Sequence, residues 1–335
     1  MSADPQLRIY PWNRPQWLSL AQQLDKLPHA LLFSGRAGLG KNAFARELAR
    51  SLLCAQPSPT GEACGACKNC YLFAAGTHPD LFMIAPLEEG KAIMIDQIRS
   101  LGEFLTLRPH TAMRKVVVLA PAEAMNLHAA NSLLKLLEEP PLGSHFILVC
   151  RQAARLAPTI LSRCVRVEFC PPPREEGLAW IKSQSLGVDQ PDLLLDLADR
   201  APLRALTLAQ SDFLTLRRQL ISDIQALGAD TADPVACAER WKKIGAATCL
   251  AWLQTWVVDL IRLSMGGQPP GLFNLDAQSQ LQAHTKRLHL KGLFQFLDLV
   301  SYNKNLLGNA LDELLLLEET LISWVQLIHH ESLSR

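Results

Sequence analysis

Over the first 170 residues the chain alternates short apolar runs with amphipathic stretches. Ala30–Ser34, Leu81–Ala85, Val116–Leu119, Phe146–Val149 and Val165–Phe169 are apolar at consecutive rather than alternate positions. That is the pattern of strands covered on both faces, as in a parallel sheet between helices. Between them, Asn42–Leu53 and Asn126–Glu139 repeat apolar residues at helical spacing. The second stretch is stopped by Pro140-Pro141, since proline lacks the N–H a continuing helix needs and clashes with the turn before it. The pattern predicts an α/β core, a parallel sheet with helices on both faces. It ends at Cys170-Pro171-Pro172-Pro173, and a proline run of that kind makes a stiff linker. Three short helical patterns follow from Arg174 to about Gln210, and the remainder is helical and rich in leucine. Its last long segment, Asn309–Ile328, gathers Leu311, Leu314, Leu315, Leu317, Leu321, Trp324 and Leu327 on a wide apolar surface. That surface reads as an ordinary bundle core, or in part as a joint between subunits. The expected division is 1–170, 171–210 and 211–335.

Composition narrows the class. With 49% hydrophobic and 19% charged residues the chain is an ordinary globular protein, and no apolar run reaches the roughly 18 residues that span a bilayer. Met1–Pro5 carry no basic segment leading into an apolar one, so a cytoplasmic location is expected and no membrane partner. A net charge of +1 argues against a protein that grips nucleic acid alone through massed phosphate contacts, so any contact with DNA should be shared with partners. Arg108, Arg114 and Lys115 are basic, but they read as solvated surface as well.

Four of the nine cysteines, Cys54, Cys64, Cys67 and Cys70, follow a C-x9-C-x2-C-x2-C spacing that lets four thiolates surround Zn2+ tetrahedrally. Such a site leaves no open position for water, so the zinc is expected to be structural, in a module at 54–70. Cys150, Cys164, Cys170, Cys237 and Cys249 are scattered, mostly in apolar stretches, and read as core residues of a reduced compartment.

Gly35-Arg36-Ala37-Gly38-Leu39-Gly40-Lys41-Asn42 lies between a predicted strand and a predicted helix, the context a phosphate loop requires. Gly35, Gly38 and Gly40 let backbone amides curl around phosphate, and Lys41 can reach its outer oxygens. Where a Ser or Thr would offer magnesium a hydroxyl, the chain has Asn42. A structural glycine-rich turn is the plainer alternative. Hydrolysis also needs an acidic pair at the end of a core strand. Here Val116–Leu119 is followed by Ala120-Pro121, which can neither hold a metal nor polarise water, and Glu123 lies beyond the proline. The chain therefore reads as a hydrolytically dead site that keeps its phosphate loop.

Together with Tyr10-Pro11-Trp12, Leu27–Leu32, Gly76-Thr77-His78-Pro79-Asp80, Asn131–Pro141 and Thr159–Cys164, these motifs resemble the AAA+ clamp-loader subunits of bacterial DNA polymerase III, and among them the delta-prime type. The resemblance covers about residues 10–170. It implies an AAA+ core with an inserted zinc module, a small helical lid and an all-α collar, in a hetero-pentameric arc with gamma/tau motor subunits and a delta subunit. Such an arc opens the sliding clamp and places it on primed DNA. Motor members keep the acidic pair that Ala120 and Pro121 replace, whereas delta-prime members commonly lack it. Retained Lys41 leaves ATP binding without hydrolysis open. Cys150-Arg151 stands where the family usually has a small polar sensor residue. Arg204 in Ala201–Arg204 weakly resembles an arginine that leans over nucleotide. In Ser162-Arg163-Cys164 the resemblance implies that Arg163 is an arginine finger acting in trans on a neighbour's ATP. The competing readings are an autonomous P-loop ATPase or motor subunit and, less favoured, a free-standing zinc-dependent DNA binder.

Overall fold

The computed structural model describes residues 9–88, 90–184, 187–266, 271–285, 288–307 and 312–330. The Met1–Pro5 segment and the first residues of the expected last helix, Asn309 to Leu311, lie outside them.

After α1 (Arg14–Ala21), the core alternates β1 (Ala30–Ser34), α2 (Lys41–Leu53), α3 (Lys68–Ala74), β2 (Leu81–Ile84), α4 (Ile95–Thr106), β3 (Lys115–Leu119), α5 (Leu127–Glu138), β4 (Ser144–Cys150), the single turn α6 (Pro158–Leu161) and β5 (Val165–Glu168). The five strands form one sheet in the order β2-β3-β4-β1-β5, every neighbouring pair parallel. The continuous apolar runs have the expected cause. Leu32, Val117, Leu119, Phe146 and Leu148 pack with α4 and α5 residues such as Leu101 and Leu133, while Leu31, Phe33, Val116, Val118 and Ile147 pack with α2 residues such as Phe44 and Leu48. Successive strand residues thus feed opposite faces, and both faces are covered. β5 differs: it is an edge strand with exposed Val165, Arg166 and Glu168.

Helix limits follow local chemistry. The Asn126 side chain caps α5 by accepting the Ala129 N–H at 2.8 Å, and Pro140 bars continuation past Glu138. Asp80, of the Gly76–Asp80 motif, is fully buried and accepts the backbone N–H groups of His110, Thr111 and Ala112 at 2.6–2.8 Å. Burial opposes its charge, but these donors outweigh burial and hold its pKa below the usual carboxylate range. The motif thereby fixes the loop that leads into β3.

That loop corrects the reading of the basic run as solvated. Lys115 is only 4% exposed, its ammonium set against the Phe104 ring and carbonyl, and Arg114 donates to the Leu24 carbonyl and to Asp25, both at 2.8 Å. Of the three, Arg108 is exposed.

The chain forms two compact units, Met1–Gly177 with Ala201–Arg204, and Leu178–Arg200 with Ala205–Arg335. Past the sheet the described residues are helical: after α7 (Arg174–Ser183), α8 (Pro191–Leu197) and α9 (Pro202–Ala209) come α10 (Phe213–Gly228), α11 (Pro234–Ile244), α12 (Ala246–Ser264), α13 (Gln278–Thr285), α14 (Leu290–Leu306) and α15 (Glu313–His330), the last six in the second unit. Trp241, Trp256, Leu317, Leu321 and Trp324 are completely buried in one core, so most of the expected apolar surface of the last helix faces inward, while Leu315 stays 62% exposed. Among the described residues no single helix is long and apolar enough to cross a membrane.

Candidate functional site

β1 ends at Ser34 and the phosphate loop begins at once. Gly35, Gly38 and Gly40 have φ of +149°, +83° and +87°, a region that side chains rarely enter. Space also demands glycine at all three: a Cβ on Gly35 would lie 2.3 Å from the Phe169 carbonyl oxygen, one on Gly40 2.4 Å from the Tyr10 ring, and one on Gly38 2.6 Å from the Arg204 Cβ. The loop is clamped from outside. Trp12 Nε1 and Asn13 Nδ2 both donate to the Leu39 carbonyl, at 3.0 and 2.8 Å, and the Leu203 N–H donates to the Gly38 carbonyl at 3.2 Å. The structure thus gives the Tyr10–Trp12 motif a local task and sets Arg204 against the phosphate loop.

Lys41 opens α2 and is 6% exposed. Its ammonium folds back on the loop, donating to the Gly35 carbonyl and, at 2.6 Å, to that of Arg36. Burial pulls its pKa down to about 8, against the raising influence of Cys150 and Glu123. Asn42 is exposed. Beyond β3, Ala120 and Pro121 offer nothing to a metal, but the turn Ala122–Ala124 brings Glu123 back toward the site. Its Oε1 accepts the Arg151 N–H at 2.9 Å, and Oε2 is buried with no hydrogen-bond partner. Its charge is felt at both Lys41 and Cys150, a placement the intervening proline conceals in the sequence. Cys150, at the end of β4, has its thiol pushed up to about 11, chiefly by burial, so it stays protonated at neutral pH. The loop fits a phosphate cradle, whereas magnesium-holding and water-orienting groups are missing at Asn42, Ala120 and Pro121.

The second constellation closes the far end of α2. Cys54 is the C-cap of that helix and Cys67 the N-cap of α3. All four sulfurs of Cys54, Cys64, Cys67 and Cys70 lie within 4.8 Å of one another. Cys54–Cys67 and Cys64–Cys70 are 3.9 Å apart and Cys54–Cys70 3.7 Å. Four sulfurs at about 2.3 Å from a central ion stand roughly 3.8 Å apart, so the set has the size of a tetrahedral thiolate site. Burial pushes the Cys67 thiol up, but the N–H groups of Ala55 and Cys70 outweigh it and bring it to about 6, while burial drives Cys70 to about 12. Asn69 ties the module to the core by donating to the Leu53 carbonyl at 2.8 Å. The cluster can hold a metal ion. Of the other cysteines, Cys150, Cys237 and Cys249 are buried as expected, Cys164 is partly buried and Cys170 is exposed.

Arg163 lies in the turn between α6 and the start of β5. Because β5 runs parallel to β1, with Leu31 opposite Val165 and Ser34 opposite Glu168, Arg163 sits at the strand-start end of the sheet and the phosphate loop at the strand-finish end. The strand alone separates them by about 10 Å at about 3.3 Å per residue. Arg163 Nη1 donates to the Thr159 carbonyl at 2.9 Å and the Ser162 hydroxyl at 3.3 Å, and Nη2 pairs with Glu138 Oε1. Its side chain is 33% exposed. The partner Glu138 stands in the quoted Asn131–Pro141 motif, but nothing local signals the pairing.

Residues 14–173 match a family model described as "DNA polymerase III, delta subunit", and 211–326 match "DNA polymerase III, delta subunit, C terminal". The chain is 36% identical to "DNA polymerase III subunit delta'" of Pseudomonas aeruginosa over 95% of its own length and 98% of that protein. It is 34% identical to the protein of the same name in Escherichia coli over 78% of each. A gamma/tau subunit of Mycobacterium bovis is 33% identical over 55% of this chain and 32% of its own length. An all-parallel 2-3-4-1-5 sheet with a phosphate loop after its first strand, an inserted cysteine cluster, no acidic pair and a relative matched nearly end to end agree: the chain belongs to the family of DNA polymerase III delta-prime subunits.

Proposed function

We propose that this chain works in a clamp-loading assembly as a subunit that presents an arginine finger and hydrolyses no ATP itself. Arg163 is the finger. The observation that supports this reading is its position: with β1 and β5 parallel, Arg163 and the phosphate loop lie at opposite ends of the sheet, so a phosphate served by Arg163 is one held by another chain. The basic groups at its own loop serve other ends. Lys41, bound to the Gly35 and Arg36 carbonyls, braces the loop it belongs to, and Arg204 and Leu203 close over Gly38. A neighbouring gamma/tau-type motor subunit supplies the ATP and magnesium, and Arg163 offers planar N–H donors to charge developing on the transferring phosphoryl group. A delta subunit completes a five-membered arc that opens the sliding clamp on primed DNA.

The cysteine cluster holds Zn2+, and its four-sulfur set is closed to substrate, so the ion supplies structure rather than chemistry. The chain divides more finely than its two units, into an AAA+ core at 1–170, a lid at 171–210 and a collar at 211–335. The leucine-rich helices of the last part join the arc, and exposed Leu315 belongs to that contact.

Mixing the purified chain with gamma/tau and delta subunits and measuring mass by light scattering tests the reading. A complex that contains the chain together with both partners is expected. A chain that remains separate at micromolar concentration contradicts the proposal.

A further inference from the structure

Arg163 carries a long side chain, yet its guanidinium meets three acceptors in its own unit. Two of them, the Thr159 carbonyl and the Ser162 hydroxyl, come from the same turn. The third is Glu138, the last residue of α5, a charged group brought in from a separate helix. A carboxylate at a helix C-terminus is disfavoured by the partial negative charge of the last carbonyls, so the helix itself gives no reason for an acid there. Nor does folding, because the pair is partly open to water, with side chains 33% and 48% exposed, and such pairs stabilise little. The geometry of the contact is more telling. Glu138 takes Nη2 through Oε1, while Thr159 and Ser162 take Nη1. A guanidinium has five N–H donors, so this arrangement fixes its plane and leaves donors over for a further acceptor.

We infer that Glu138 is a positioning residue: by holding Nη2 it sets the direction in which Arg163 presents its remaining donors to a phosphate outside the chain. The inference rests on the proposed role of Arg163 as a finger in trans. A group already oriented has less freedom to lose as charge develops, so its effect belongs to the turnover step rather than to nucleotide binding. Pro140, which ends α5 just beyond Glu138, keeps the carboxylate at a fixed place on the helix end.

The test uses the reconstituted complex with clamp and primed DNA, carrying E138A, E138Q, R163A or E138A/R163A, with kcat and KM for ATP, complex mass and melting temperature measured for each. Glu138→Ala should lower kcat by about half or more of the loss seen in R163A, and by no more than that loss, with KM, mass and melting unchanged. Glu138→Gln, which keeps an acceptor oxygen but no charge, should fall between Ala and wild type. The double variant should be no slower than R163A, since a residue that acts only through Arg163 has nothing left to orient. Wild-type kcat in R163A would remove the finger reading, and this inference with it. A slowed R163A beside an unaffected E138A, or a double variant slower than R163A by the full factor seen in E138A, would leave the finger standing and overturn Glu138. Should Ala disturb assembly, the isosteric Gln variant decides: its kcat must lie below wild type, and equality overturns the inference.

Discussion

The two ends of one sheet differ in kind: one keeps the shape of a phosphate loop, the other holds an oriented arginine. At the strand-finish end the shape is preserved in detail: three glycines in conformations other residues avoid, a helix opening on Lys41, and carbonyls clamped by Trp12, Asn13 and Leu203. The usual groups are replaced there, with Ala120, Pro121 and Asn42 standing where a metal and a water would be managed. At the strand-start end there is little shape, only a short turn on an exposed edge strand, yet Arg163 has its guanidinium oriented by three acceptors. The contrast teaches that a phosphate loop is also a structural joint. Lys41 holds the Gly35 and Arg36 carbonyls and the glycines pack against Tyr10 and Arg204, so the loop has a structural task of its own.

Perturbing each end alone should sharpen that contrast. The largest effect on folding is expected at the cysteine cluster, which closes the far end of the helix that the phosphate loop opens. Cys67→Ser with Cys70→Ser should abolish binding of about one zinc per chain. It should also cost several kcal/mol, lowering the melting temperature by roughly 10 °C, because metal affinity in a closed thiolate site is folding energy. Metal analysis and calorimetry check both, and native protein without zinc would contradict the assignment. A smaller effect is expected from Lys41→Met. The Lys41 pKa is about 8 in the folded chain against an ordinary 10.5, so between those values the unfolded chain binds more protons and stability rises with pH. Wild type should therefore gain on Lys41→Met by about 1–3 kcal/mol between pH 7.5 and 10, measured by denaturant titration. A difference that does not change with pH would mean that the ammonium is not desolvated.

Much of this was legible in the chain itself, because it is local. Apolar runs gave the strands and a proline the end of α5; the glycine and cysteine spacings located the loop and the metal cluster. The misses are long-range. Lys115 begins a strand, and its ammonium is taken in by the Phe104 carbonyl and ring, a contact no periodicity reveals. Glu123 returns to the site through a turn after Pro121, and Glu138 meets Arg163 only because α5 and β5 end and begin on the same side of the sheet. The edge position of β5, which exposes half of Val165, depends on strand order, and an apolar run does not specify order.

The central claim is that catalysis draws on Arg163 and not on Lys41, and one pair of variants tests it directly. In the clamp loader reconstituted with gamma/tau and delta subunits, clamp and primed DNA, Lys41→Ala should turn over ATP at close to the wild-type rate. Arg163→Ala should lose the contribution of the site it serves, where an arginine finger is worth about a thousandfold or more, so the total rate falls in part because the other sites keep their own arginines. The opposite outcome, a rate that drops with Lys41→Ala and stands unchanged with Arg163→Ala, would contradict the account.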